Sequence, residues 1–531
     1  MLNYAWFQAS INPLFFIAFC PFPIHLFPIC LFPICIFQII VSHGYILLWS
    51  RWHMTSPSAP ILILGATGYI GRHLTERLSK QGNRVIAAGR NIESLASRNW
   101  PGVDCQQVDL AKPESLPDGL WGAETIYYLV HSMGDGADFV ARERMTAMNL
   151  LLALASSRVK QIIYLGSLQA KDDTSPHMQA RQITGDVLRS SGIPVTELRA
   201  GIIIGTGSAA FEIMRDMVYN LPILTPPRWV RSKSSPIALE NLLVYLIGIA
   251  QHPATENRIM DAAGPEYISY QTMFERFIQI SGKRRLLIPV PMPTHLVSVW
   301  FLHLVTSVPP SIARALIQGL KHDLQADGRE LQALIPQTLM SFDDAVRLTL
   351  QSEMESVQRA DWGDDTEVRA RWKPNYGFYP KQAGHTMETP ASSPALWQVI
   401  QQVGGKEGYF YANTLWNIRA RLDDLCGNGV TYGRPERPTL EVGDKIDGWK
   451  VISIKPQRQL VLLFGMKAPG LGKLNFTITD KGTHRTVDVR ARWHPSGFNG
   501  LVYWFLMMPA HLFIFRGMAA RIAKLAEKET V

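Results

Sequence analysis

Between residues 61 and 74 the chain reads ILILGATGYIGRHL, an apolar run that breaks into glycines spaced Gly65-x-x-Gly68-x-x-Gly71 and then resumes with helical character. Few arrangements accept that text. A buried strand, a turn that glycine alone makes tightly and a helix that starts against the strand satisfy it together. In that arrangement Gly65 permits the reversal, Gly68 lets a ligand come against bare backbone, and Gly71 lets the helix lean on the strand. The first helical amides lack carbonyl partners and carry the positive end of the helix dipole, so they attract phosphate. The motif predicts that Gly65, Ala66, Thr67, Gly68, Tyr69, Ile70 and Gly71 bind a dinucleotide.

The text that follows keeps alternating strand and helix signals as far as about Gly205, with segments at 61–64, 72–81, 84–88, 126–130, 138–156, 161–165 and 195–204. Such alternation predicts an α/β, Rossmann-type doubly wound parallel sheet, and strands rich in Val, Ile, Leu and Tyr fit burial on both faces. Helical patterns around 209–219, 239–250, 270–280, 311–324 and 342–353 are expected to close over the cofactor and build a substrate pocket. The Rossmann domain is accordingly placed at 54–355, with a polar and aromatic linker at 356–384. Beyond it, a helix near 393–403, strands at 448–454, 459–466, 473–479 and 486–493 and a long helix at 505–527 predict an α+β domain over 385–531, an antiparallel sheet wrapped around a helix.

Composition excludes several classes. With 47% hydrophobic and 18% charged residues the chain is globular rather than disordered. A net charge of +9 favours anionic partners, but no basic block interleaved with aromatics supports nucleic acid. Cysteines fall at 20, 30, 35, 105 and 426, spacings that predict no metal site, no disulfide framework and a reducing, cytoplasmic setting. The first fifty residues carry no formal side-chain charge and contain Phe22-Pro23-Ile24, Phe27-Pro28-Ile29 and Phe32-Pro33-Ile34, a five-residue repeat that matches neither helix nor strand. We expect residues 1–53 to be a non-native or disordered extension, with Met54 as the start and a hydrophobic anchor as the alternative. The run LVYWFLMMPAHLFIF at 501–515 reads as a buried terminal helix, the alternative being a peripheral contact with the inner face of a membrane.

The second strand ends Val85-Ile-Ala-Ala-Gly89-Arg90, where an enzyme using NAD places an acid for the ribose hydroxyl. Arg90 here, with Arg72 after Gly71, favours NADP over NAD because a guanidinium fork suits the 2′-phosphate. Asp109, with Leu110, falls where the adenine is expected, and His131-Ser132 follows the fourth strand beside the nicotinamide.

GATGYIG, the Val108-Asp109-Leu110 triplet and Thr196-Glu-Leu-Arg199-Ala-Gly201 resemble the atypical extended short-chain dehydrogenase/reductases (SDRs) of the NmrA-like branch. LVHSMG at 129–134, the segment 211–230 and LFGMKAPGLGKLNF at 463–476 resemble the bacterial YbjT-type proteins, over nearly all of the chain after Met54. The resemblance implies an NAD(P)-binding domain followed by a helix-grip, polyketide-cyclase/START-like domain of unknown function.

Catalytic relatives place a Ser or Thr after the strand at 161–165 and then a Tyr-x-x-x-Lys helix. Ser167 fits the first place; at the second the chain offers His177-Met-Gln-Ala-Arg181, with no tyrosine between Tyr164 and Tyr219. By this resemblance Ser167, His177 and Arg181 are the catalytic candidates. The expected activity is hydride transfer between NADP and a small or hydrophobic carbonyl, alcohol or quinone-like substrate. A non-catalytic NAD(P)H sensor or assembly protein, whose C-terminal domain binds a lipid or a partner not named by the sequence, is the first alternative. An epimerase or dehydratase acting on nucleotide sugars is the second. Phe464, Met466, Phe476, Trp493, Tyr503 and Trp504 are the candidate lining of a lipid-like cavity, or else ordinary core.

Overall fold

Seven short strands form one parallel sheet: β1 Ile61–Leu64, β2 Val85–Gly89, β3 Val103–Gln107, β4 Thr125–Tyr128, β5 Gln161–Ser167, β6 Val195–Ala200 and β7 Ile259–Ala262. Their order is β7-β6-β5-β4-β1-β2-β3, so β1 lies between β4 and β2 and the direction of winding reverses there. Every residue of β2 is buried, as burial on both faces requires. The structure, a computed structural model, describes residues 59–131, 138–169, 175–226, 228–290, 301–302, 304–319, 322–352, 366–373, 376–425 and 433–529. The N-terminal repeat, Met54 and Ser132 lie outside the described residues.

Helices α1 Tyr69–Lys80, α2 Phe139–Leu154, α3 Pro176–Arg189, α4 Ala209–Asn220 and α5 Leu239–Gln251 cover the sheet and its later crossings. The strand expected over 195–204 divides at Gly201 into β6 and a two-residue strand at Ile203–Ile204 that pairs with Ile237–Ala238. A Cβ at Gly201 would sit 3.0 Å from the Leu168 side chain, so the chain leaves the main sheet where it has no side chain to pack.

A second, antiparallel sheet is built from β8 Lys381–Thr389, β9 Lys445–Ile446, β10 Trp449–Lys455, β11 Gln459–Phe464, β12 Gly470–Asp480 and β13 Arg485–Pro495, in the order β8-β13-β12-β11-β10-β9. Helices α6 Ser393–Gln401 and α7 Asn413–Leu425 connect β8 to β9, and α8 Gly497–Glu529 packs across β8 and β13. The α+β expectation therefore holds, with two differences in extent. β8 starts four residues inside the segment read as linker, and α8 begins at Gly497 and runs through Pro509. Pro509 is exposed, so the helical hydrogen bond it cannot make lies on the water side. Phe464 lies edge-on to Trp493 at 5.8 Å, and Trp493 lies 5.2 Å from Tyr503. These rings pack with Phe476, Met466 and Trp504 in one core, which supports core packing over a ligand cavity.

Both sheets belong to one compact unit, Pro57–Val531. At the seam between them, Arg215 of α4 is almost wholly buried: it donates to Glu212 at 2.7 Å and to the Tyr376 carbonyl at 2.5 Å. Asp216 accepts from the Ser307 amide at 2.9 Å, and Lys381, the first residue of β8, donates to the Thr306 carbonyl at 2.5 Å. Burial raises the Asp216 carboxyl to about 7 and lowers the Lys381 ammonium to about 8, each toward its neutral form.

Candidate functional site

A crevice of about 570 Å³ opens at the carboxyl ends of β1, β2, β4 and β5, within the range of roughly 300–1,000 Å³ usual for ligand sites. Its floor is the glycine turn. Gly65 has φ +89°, and a Cβ there would come within 2.9 Å of the Leu129 carbonyl oxygen, so glycine is required both by conformation and by the approach of β4. A Cβ on Gly71 would lie 2.3 Å from the Gly65 carbonyl oxygen and 2.8 Å from Ala66 Cα. Helix α1 starts directly on the turn, with Gly68 as its cap residue and the amides of Tyr69, Ile70 and Gly71 in its first turn. Thr67, Gly68, Tyr69, Ile70 and Gly71 all line the crevice.

Winding divides the crevice in two. On the β2 and β3 side lie Arg90, exposed at the rim, and Asp109 and Leu110. Asp109 accepts from the Ala111 amide at 3.2 Å, which holds its carboxylate in a local turn. On the β4 and β5 side lie His131, Ser167, His177 and Arg181. Two of the expected residues lie outside the crevice wall. Ala66 is fully buried in the core under the turn and contributes no crevice wall. Arg72 is also absent from the wall: its guanidinium donates to the Thr206 carbonyl at 3.4 Å and lies over the rings of Tyr69 and Phe378. One residue past Gly71 the helix has turned by about 100°, which carries Arg72 away from the phosphate end and toward the seam.

The histidines meet across a gap in sequence. Their rings lie 5.0 Å apart at 32°, His131 at the end of β4 and His177 in the first turn of α3, where Ser175 caps the helix by accepting from the Met178 amide. His131 Nδ1 is hydrogen-bonded to the Glu143 carboxylate of α2, and the Thr184 hydroxyl donates to the other Glu143 oxygen at 3.4 Å. Glu143 is 3% exposed. Burial is the main cause that lowers His131 to about 4 and His177 to about 3; for His131 the nearby Arg181 lowers it further and Glu143 opposes the shift. Both imidazoles are therefore neutral at pH 7. Arg181, one turn beyond His177, reaches toward the Leu165 carbonyl at 3.5 Å, and its own carbonyl accepts from the Tyr164 hydroxyl at 3.0 Å. His131 Nε2, His177 Nδ1 and Arg181 Nε are buried and have no hydrogen-bond partner among the described residues. Buried polar atoms of this kind are normally satisfied, so these three residues fit a polar ligand group in the crevice.

Two contributors escaped sequence reasoning. Glu143 is spaced with the buried Thr146, Ala147 and Leu150 at intervals of three, four and seven, so its place on the apolar face of α2 was a readable signal of a buried acid in need of a partner. Tyr379, inside the expected linker, lines the crevice and donates to the Gly207 carbonyl at 2.7 Å. No periodicity marks that return.

Residues 65–216 match the family described as NAD(P)H-binding, and residues 383–518 match a family described as a protein of unknown function, DUF2867. The first match falls on the Rossmann half that carries the glycine turn. Over 236 residues the chain is 22% identical to the NADH dehydrogenase (ubiquinone) 1 alpha subcomplex subunit 9, mitochondrial, of Dictyostelium discoideum, covering 43% of this chain and 66% of that protein, just under two thirds of its length. Over 239 residues it is 23% identical to the Photosystem II assembly factor Ycf39 of Cyanophora paradoxa, covering 44% of this chain and 72% of that protein. The solved triphenylmethane reductase of Citrobacter sp. is similar at 21% identity with a TM-score of 0.46, covering 55% of this chain and 99% of that one.

Proposed function

We propose that the chain is an NADP-dependent oxidoreductase acting on a small or hydrophobic carbonyl, alcohol or quinone-like substrate. The observation that carries this reading is the two-ended crevice: a glycine turn with helix amides and Arg90 on one side of β1, and on the other the buried His131, His177 and Arg181 with unsatisfied polar atoms. Gly68 and the first amides of α1 hold the pyrophosphate, and Arg90 pairs with the 2′-phosphate. Asp109 and Leu110 border the adenine. Bound there, the nicotinamide supplies or accepts hydride. Ser167, His177 and Arg181 border the reacting end and exclude water from it. NADPH mixed with a panel of quinones, aldehydes and ketones is expected to be consumed with at least one of them. Cofactor binding without turnover across the panel would remove the oxidoreductase reading. Arg90→Ala is expected to weaken NADPH by roughly tenfold or more and leave NADH within about twofold, since a charged hydrogen bond contributes about 1.5–3 kcal/mol. Equal losses for both would refute the role of Arg90.

A second reading is favoured by one surface. Phe498, Val502, Phe505, Leu506, Leu512 and Phe513 are all exposed along one face of α8, and Arg516 and Lys524 continue that face. The helix is long and apolar enough to cross a membrane by length and composition, yet its other face is buried against the second sheet. In this reading the chain is an NAD(P)H-responsive protein that rests on an anionic membrane through α8, the apolar face inserted and the basic residues at the headgroups. Flotation with phosphatidylglycerol vesicles is expected to carry the protein, and Leu506→Asp with Phe513→Asp to release it. Failure of the unmodified chain to float would end the membrane reading.

A further inference from the structure

We infer that His131, held by Glu143, is the group that exchanges a proton with the substrate oxygen, and that Glu143 is its positioning residue; this rests on the oxidoreductase reading above. The two histidines of the crevice differ in one respect that decides between them. His131 Nδ1 is tied to the Glu143 carboxylate, and Glu143 is itself fixed by Thr184 and by its place between α2 and α3. A carboxylate on Nδ1 keeps the proton there and leaves the Nε2 lone pair available, in the crevice wall and without a partner among the described residues. Among the described residues His177 has no carboxylate partner: its Nδ1 is buried with no hydrogen bond to them, and its ring lies along that of His131. Among the described residues, the charged or titratable groups that bear on His131 are Glu143 from α2 and His177 and Arg181 from α3. Arg181 opposes a positive imidazole and Glu143 supports one, so the carboxylate is what makes protonation of Nε2 attainable.

With the oxidised nicotinamide bound, it would accept hydride from the carbon of an alcohol substrate while the hydroxyl proton passes to His131 Nε2, which would leave a carbonyl compound, the reduced cofactor and an imidazolium paired with Glu143. In the direction of reduction the same imidazolium returns the proton as the carbonyl carbon receives hydride. The exposed rim and the buried polar end together suit a substrate with one oxygen to be recognised and an apolar remainder facing Leu168, Met178 and Ile202.

Imidazole nitrogen NMR of the full chain without cofactor is expected to show His131 with its proton on Nδ1 at neutral pH. Its titration midpoint should lie well below 6.5 and move lower in Glu143→Gln, which keeps the hydrogen bond and removes the charge. A proton on Nε2, or a midpoint that Glu143→Gln leaves in place, would overturn the assignment. In turnover assays His131→Asn, whose amide still donates to Glu143, is expected to lose about 10²–10⁴-fold in kcat with NADPH affinity unchanged within about threefold. In the same assays, the reductive pH profile of Glu143→Gln should move down with the NMR midpoint. Retention of turnover in His131→Asn also overturns it. If the unmodified chain turns over no substrate, the oxidoreductase reading and the proton exchange fall together; the NMR result then separates a wrong reaction from a wrong site.

Discussion

Replacing Gly71 with alanine is expected to abolish measurable NADPH binding, a loss of at least about 100-fold, and to cost about 2–4 kcal/mol of stability. The reason is local and rigid. The added carbon would stand 2.3 Å from the Gly65 carbonyl oxygen and 2.8 Å from Ala66 Cα, and both are backbone atoms in the turn that forms the floor of the crevice. No rotamer relieves a clash with backbone, so α1 must move off the turn, and overpacking of this kind costs about 1–3 kcal/mol before the turn itself is strained. The same movement withdraws the helix amides from the phosphate position. Gly82→Ala is the matched control: Gly82 has φ +79° with nothing within 4 Å of its added carbon, so it should cost about 1–2 kcal/mol of conformational strain and leave NADPH affinity intact. Titration of both variants with NADPH, beside their denaturant midpoints, checks the contrast. Equal affinity in Gly71→Ala and the unmodified chain would mean that cofactor does not rest on this turn.

Arg215→Met is the second large effect, expected to destabilise by about 3–5 kcal/mol without touching the crevice. Arg215 is 1% exposed and Glu212 is fully buried, so removing the guanidinium leaves a buried carboxylate that accepts from the Gly207 amide at 2.8 Å with no cation against it at the Arg215 site. An uncompensated buried charge costs far more than the net contribution of the pair. The Tyr376 carbonyl loses its donor at the same time, and with it goes a tie between α4 and the segment leading into β8. The double variant Glu212→Gln with Arg215→Met should recover much of the loss, because the charge left behind is gone. Denaturant unfolding of the three proteins reads the difference directly. A single-variant cost below about 1 kcal/mol would show that the seam does not depend on this pair.

The central strands of the Rossmann half were legible because burial on both faces leaves them little but apolar text, and because Gly65 and Gly71 answer to backbone geometry rather than to distant partners; the edge strands β3, VDCQQ, and β7, IMDA, have one neighbour each and escaped. The second sheet was legible where its strands are apolar, as in Gln459–Phe464. It was not legible at β8, KQAGHTMET, an edge strand with a single neighbour and mixed burial whose text reads as linker. Helix α7 was missed for a similar reason, since NTLWNIRARLDDL carries a weak apolar stripe. Arg90, Asp109, His131 and Ser167 line the crevice because each follows or ends a strand of the sheet. Arg72 turns away from that wall because adjacency in sequence is not adjacency on a helix face. The meeting of His131 with His177, and the return of Tyr379 from beyond the first sheet, depend on how separate elements pack, which no local pattern contains.

We propose that this crevice binds the phosphorylated dinucleotide through the glycine turn and Arg90. Calorimetric titration of the full chain with NADPH and, separately, with NADH tests it most directly. The account predicts one saturable NADPH site per chain, tighter than NADH by about tenfold or more; tighter binding of NADH, or no binding of either, would contradict it.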